Sequence, residues 1–299
     1  MTYHRVLTLF HHYWLSLYDL FTCRKTLVSV GDILMNRDEA IFVQFSTLSR
    51  ILDIQSYVEQ GDKRFVVQDT LAKYKYGERY GKDYNHNLMS KHFSSLIDSF
   101  RNNGYNEKSI VELDKEGTLT DGTHRVAMAV YCHQWELNAK IVRRKSKYPH
   151  NIDYFYKLGI DTCLIEEIVR QGNVVEEKFI MNGVSLGCLI YDVQPSIINS
   201  ILNDLKALCD VKRLKPFILP KGATTSFEPT IKTTIEGNYI LFILRNPKYD
   251  YKNKELISTR SKEIETTLNN RYEGKSKILF MNNCRKGKEM FNELQSYFI

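Results

Sequence analysis

The five residues Asp121-Gly122-Thr123-His124-Arg125 stand between two runs of opposite character. Upstream, residues 109–113 and 117–120 read as strands; downstream, residues 126–132 read as a helix. The pentapeptide must therefore turn a strand into a helix. A helix start offers backbone N–H groups without intrahelical acceptors and the positive end of the helix dipole. With an imidazole and a guanidinium added, the corner becomes a candidate phosphate cradle. Asp121 beside it can hold a cation or orient a nucleophile. The plainer alternative makes Asp121-Gly122 an ordinary turn, Thr123 a helix N-cap and Arg125 a surface residue.

The flanking pattern gives the corner a context. Residues 1–60 read as mainly helical, with a strand near residues 40–44. Residues 64–68 form a short strand-like run, and residues 71–86 are rich in Tyr, Gly, Lys and Asp, which predicts a loop. Ser90 then reads as an N-cap. Phe93, Leu96, Ile97 and Phe100 share one helical face, and Asn102-Asn103-Gly104 stops that helix. A strand at 109–113, a turn at Asp114-Lys-Glu-Gly117, the corner, its helix and a strand at 139–143 follow. The polar stretch 145–151 is a natural boundary. Beyond it lies a helical middle that includes residues 196–208, then a break at Pro216 and Pro220. The last part alternates strand (239–244), helix (258–272), strand (277–280) and helix (286–298), which predicts a small α/β layer. The chain thus divides into an N-terminal segment (1–60), a central mixed domain (61–148) and a C-terminal helical and α/β region (149–299), an α+β protein.

Composition limits the function classes. Hydrophobic residues make up 43% of the 299, enough for a proper core and too many for a disordered chain. The net charge of +7 favours anionic ligands but is no nucleic-acid signature at this length. Cysteines at 23, 132, 163, 188, 209 and 284 show no Cys-x-x-Cys or Cys/His ligand spacing, which argues against structural zinc. Reduced, buried thiols and a cytoplasmic protein are the expectation. Residues 6–23 are apolar and aromatic but interrupted by His11, His12 and Asp19, so a buried amphipathic helix is expected there, not a membrane span or signal peptide.

With that element order in place, the chain resembles the ParB/sulfiredoxin superfamily over residues 93–143, with a weaker flank from residue 63. The likeness rests on Phe93-Ser-Ser-Leu-Ile-Asp-Ser-Phe-Arg-Asn-Asn-Gly104, on Ser109-Ile-Val-Glu-Leu113, and on Leu119-Thr-Asp-Gly-Thr-His-Arg-Val-Ala-Met-Ala129. Members share a helix ending in glycine, a strand, and a Gly-x-x-Arg corner that starts a helix and binds nucleotide phosphates. Sulfiredoxins carry a catalytic cysteine just before the His-Arg pair; Thr123 stands there, and a hydroxyl cannot support their sulfur chemistry. Partition-type members carry Gly-Glu-Arg-Arg and bind CTP; Gly122-Thr-His-Arg125 differs, and no helix-turn-helix follows it. The free serine kinases of this fold carry Asp-Gly-His-His-Arg. Asp121, Gly122, His124 and Arg125 align with that motif.

The resemblance implies a nucleotide-dependent phosphotransferase acting on a small hydroxyl-bearing substrate. The nucleotide would be ATP, or ADP or CTP, with Mg²⁺. Its phosphates would lie on Gly122, Thr123 and His124, with Arg125 as a bidentate clamp. Asp121 would orient Mg²⁺ or the acceptor hydroxyl, and His124 would contact a phosphate oxygen. The kinases place a glutamate base in the loop before the helix; Glu78 is the only glutamate of 73–83, with Asp69 and Asp83 as alternatives. Tyr76 and Arg79 of the same loop would contact the substrate. Two further readings stay open: a nucleotide-binding switch or DNA-binding module without kinase activity, and a non-catalytic protein of surface-polysaccharide assembly. Residues 149–299 would supply an acceptor pocket or a homodimer interface.

Overall fold

The computed structural model describes residues 24–34, 45–67, 86–143, 152–157, 159–209, 211–229, 231, 238–243, 249–252 and 254–299. Over these the chain is α+β, with helices packed on small sheets.

The first sheet carries the corner. Its strands are β1 (Arg24–Ser29), β2 (Val111–Leu113), β3 (Leu119–Asp121) and β4 (Glu136–Ile141), in the order β1-β4-β2-β3. β4 runs parallel to β2; the other pairs are antiparallel. The β2–β3 turn is fixed by Asp114, whose Oδ1 accepts the N–H of Glu116 at 3.0 Å and of Thr118 at 2.8 Å. This is the turn read at residues 114–117, tightened by an aspartate folding back on its own backbone.

Among the described residues, four helices belong with this sheet: α1 (Val30–Leu34), α2 (Phe45–Gln60), α3 (His86–Asn103) and α4 (Thr123–Tyr131). The parallel β2–β4 pair needs a crossover, and β3 with α4 provides it. Val126, Ala127, Met128, Ala129 and Val130 of α4 are all buried. The small alanines let α2 approach α4 closely. Phe93, Ile97 and Phe100 turn one face of α3 into the same core. Gly104 ends α3 at φ +69°, its N–H on the Phe100 carbonyl at 2.9 Å.

The second sheet contains β5 (Leu186–Tyr191), β6 (Val211–Pro216), β7 (Tyr239–Ile243) and β10 (Lys277–Phe280), antiparallel in the order β10-β5-β7-β6. A hairpin of β8 (Tyr249–Lys252) and β9 (Glu255–Ser258) stands apart from it. The helices here are α5 (Ile152–Lys157), α6 (Thr162–Met181), α7 (Ile198–Leu208), α8 (Thr259–Arg271) and α9 (Cys284–Leu294). α9 lies so close on β5 that a methyl at Gly287 would be driven into the Ser185 carbonyl oxygen. α8 closes the outer edge of β10. The Asn269 amide donates to the Ile278 carbonyl at 2.7 Å and accepts the Ile278 N–H at 2.9 Å, and Glu265 accepts the Phe280 N–H at 2.8 Å.

One continuous apolar core runs from Val28 to Cys284, so the two sheets share an interior. Polar ties reinforce it: Asp32 accepts the Cys284 N–H at 2.8 Å, Thr26 donates to the Lys254 carbonyl at 2.7 Å, and the Tyr251 N–H meets the Lys115 carbonyl at 3.0 Å. Among the described residues no helix is long and apolar enough to cross a membrane.

Several local expectations change. The N-terminal segment, mainly helical where described, also supplies β1, which pairs with β4. Residues 64–67 are a turn entering a helix, not a strand, because the Asp62 carboxylate grips the Arg64 backbone and guanidinium. α3 begins at His86, so Ser90 lies within it and does not cap it. β5 interrupts the helical middle, and the strands read at 239–244 and 277–280, now β7 and β10, join an antiparallel sheet on which helices pack. Cys188, Cys209 and Cys284 are buried, but Cys132 and Cys163 are exposed. The strand expected at 40–44, the boundary at 145–151 and the helix at 6–23 lie outside the described residues.

Candidate functional site

β3 delivers Asp121 to the corner, and Gly122 makes the bend. Gly122 is buried at φ +104° and ψ 18° and occupies the N-cap position of α4 without a side-chain cap. A Cβ there would stand 2.8 Å from Val111 Cγ1 and 3.0 Å from Val111 Cβ. Both the dihedral and the contact therefore require glycine. Thr123 is the first residue inside the helix, so the plainer reading with Thr123 as N-cap does not describe the corner.

The first turn of α4 holds the chemistry. Thr123, His124 and Arg125 are half-buried, and the Asp121 carboxylate is the most exposed group of the five. In any α-helix the amides of these first positions have no acceptor within the helix, so they point their partial positive charge outward from the N-terminus. Nine residues of α4 stand behind that end.

Arg125 turns back from this end. Its Nη2 bonds Asp121 Oδ2 at 3.0 Å, and its Nη1 donates to the Ile110 carbonyl at the entry to β2. The guanidinium thereby ties α4 to both strands of the hairpin. The bidentate phosphate clamp expected of Arg125 is not the arrangement seen: Asp121 four residues earlier neutralises the cation, and a strand-entry carbonyl takes a second donor.

His124 rests on an aromatic stack. Its ring centroid lies 4.5 Å from that of Phe93 on α3, at an interplanar angle of 57°. Phe93 meets Phe65 at 5.1 Å, and Phe65 meets Tyr57 of α2 at 5.4 Å. Phe65 reaches this position at φ +48°, a conformation that bulky residues seldom adopt. A dense local network holds it there. Gly61 ends α2, Asp62 forks onto Arg64, and Asp53 accepts the Val67 N–H at 3.0 Å. The Arg64 guanidinium pulls the Asp62 carboxyl down to about 2.

The sequence pattern places Phe93 on a core face and Phe65 in a strand. The signal for their role was the position of Phe93 on the side of α3 that meets the corner. The catalytic and substrate candidates of the preceding loop, Glu78, Tyr76 and Arg79, with Asp69 and Asp83, lie outside the described residues. Asp121 keeps one carboxylate oxygen beyond its Arg125 bond, and no group of three His, Cys, Asp or Glu side chains suited to a metal occurs among the described residues. No family model, curated protein or solved structure matches the chain.

Proposed function

We propose that the corner binds nucleotide phosphates and that the protein is a phosphotransferase to a hydroxyl-bearing small molecule, as the resemblance to the kinase-like ParB/sulfiredoxin members implies. The observation that carries this reading is the glycine-only bend at Gly122, which starts α4 directly behind the exposed Asp121 and beside the His124 ring. An anion bonded to the first-turn amides would lie at the turn that also carries His124. From α3 onward the order α3, β2–β3 hairpin, corner, α4, β4 matches the order read from the sequence, whereas residues 64–67 do not form the strand read at 64–68 and β1 lies further upstream.

In this proposal the α4 amides and His124 hold the donor phosphates. Asp121 orients the acceptor hydroxyl, and Arg125 holds Asp121 in place. Glu78 remains the proposed base, with Tyr76 and Arg79 on the acceptor. A single carboxylate supports Mg²⁺ only together with nucleotide phosphates, a common mode for that ion. ATP is the first nucleotide to test, then ADP and CTP, because a phosphate cradle does not read the base.

A thermal-shift screen of these nucleotides, with and without Mg²⁺, tests the cradle. A ligand at 100 times its dissociation constant adds about 2.7 kcal/mol of stability. His124→Ala should diminish the shift, with a modest fall in the apo melting temperature because its ring packs on Phe93. No shift with any nucleotide refutes the cradle. Acceptor-dependent release of nucleoside diphosphate or monophosphate then tests transfer. A nucleotide-binding module without transfer is the second reading, favoured by the Asp121 carboxylate being tied to the Arg125 guanidinium and not held for an acceptor. It predicts binding or hydrolysis that no acceptor accelerates.

A further inference from the structure

The strained Phe65 and the buried Phe93 are more than core. We infer that the two rings form a rigid platform that sets the orientation of the His124 imidazole at the mouth of α4. Three observations converge on this. Phe93 and Phe65 are almost wholly buried, at 2% and 3% exposure, so neither offers a free face to a ligand; their contact surface is spent on other rings. The stack is directional, running from Tyr57 on α2 through Phe65 and Phe93 and ending on the half-buried His124. Phe65 also sits in a left-handed conformation that costs free energy to hold, although an aliphatic side chain in an ordinary conformation could fill a core.

The platform has physical content. A tilted ring pair at this separation has a preferred geometry, which removes rotamer freedom from His124. An imidazole fixed beside the α4 amides needs no reordering when an anion arrives. Phe93 and Phe65 are therefore positioning residues, acting through His124. This rests on the proposed role of the corner in phosphate binding, and the two are separable by experiment.

The test uses the full chain with Phe93→Leu and Phe65→Leu, which keep apolar volume and remove a ring. Ile97→Val serves as the control: it trims a fully buried residue one turn further along α3 without touching the stack. In the NMR spectrum the His124 ring protons, assigned with His124→Gln, should be displaced by the Phe93 ring current. Phe93→Leu should abolish that displacement and broaden the His124 rotamer distribution, and Phe65→Leu should do so in part. Ile97→Val should leave both unchanged. In turnover with ATP, Phe93→Leu should lower kcat roughly tenfold or more and weaken nucleotide affinity as well, because the loosened His124 also holds the donor phosphates. An unchanged His124 signal in Phe93→Leu overturns the platform, as does an equal kcat loss in Ile97→Val. Wild type that binds no nucleotide refutes the phosphate site instead, while the NMR result still decides the platform.

Discussion

Gly122→Ala combined with Val111→Ala probes how the corner is built. Alanine at this position must hold φ +104°, at a cost of about 1–2 kcal/mol for the left-handed region. It must also fit a methyl 2.8 Å from Val111 Cγ1, and overpacking of that kind costs about 1–3 kcal/mol. Gly122→Ala should therefore destabilise by roughly 3 kcal/mol. Val111→Ala alone removes two buried methyl groups and should cost about 2 kcal/mol. The double variant should cost less than the sum. Removing Val111 Cγ1 deletes the closest contact, and the methyl introduced by Gly122→Ala fills part of the hole. The Val111 Cβ at 3.0 Å remains, and so does the dihedral cost, so relief is partial. A coupling of at least about 1 kcal/mol is expected, read from urea midpoints at constant m-value. Additivity within about 0.5 kcal/mol would show that Gly122 is not seated on Val111.

Three further outcomes follow from the same geometry. Arg125→Ala should cost about 1–3 kcal/mol of stability by leaving the Ile110 carbonyl without its charged donor, so lost activity in that variant reports structure as well as chemistry; unchanged stability in denaturant would sink the anchor role. Gly287→Ala gains about 1 kcal/mol of helix propensity but forces a methyl into the Ser185 carbonyl, and the clash should win by about 2 kcal/mol; a raised melting temperature would contradict the packing of α9 on β5. The Asp62 carboxyl should titrate with a midpoint of about 2 by NMR. Because the folded value is depressed, its contribution is complete above the unfolded value of about 3.9 and is lost as pH falls through 2; a midpoint near 4 would dissolve the Arg64 fork.

The parts legible in the sequence were those whose signals are local. Phe93, Ile97, Phe100 and Gly104 mark α3 by spacing and stop, and Asp114 to Gly117 mark a turn by residue type. The glycine at 122 marks the corner in the same way. Arg24–Ser29 was illegible as a strand because a segment with exposed Lys25 and Leu27 gains its structure only by pairing with β4, more than a hundred residues later. Leu186–Tyr191 is buried on both faces, so its continuous apolar run carries no period that separates strand from helix. Val211–Pro216 hides as an edge strand rich in Lys and Arg. At the site, His124 and Arg125 could be named, but their partners could not. Arg125 reaches a carbonyl fifteen residues upstream that only the hairpin brings near. His124 meets Phe93 only because α3 and α4 pack side by side.

The cover that α8 places on β10 bears on how the chain leaves the ribosome. Residues 259–271 are synthesised before residues 277–280, so Asn269 and Glu265 already exist when the backbone groups they satisfy emerge. The strand that pairs with β10 on its other side, β5, is made earlier still. β10 is therefore threaded into a slot whose two walls precede it. Its hydrogen-bonding edge need never face a neighbouring nascent chain on the same message. A variant that weakens α8, by contrast, would leave that edge open to strand-mediated association during synthesis, beside the stability it costs the finished protein.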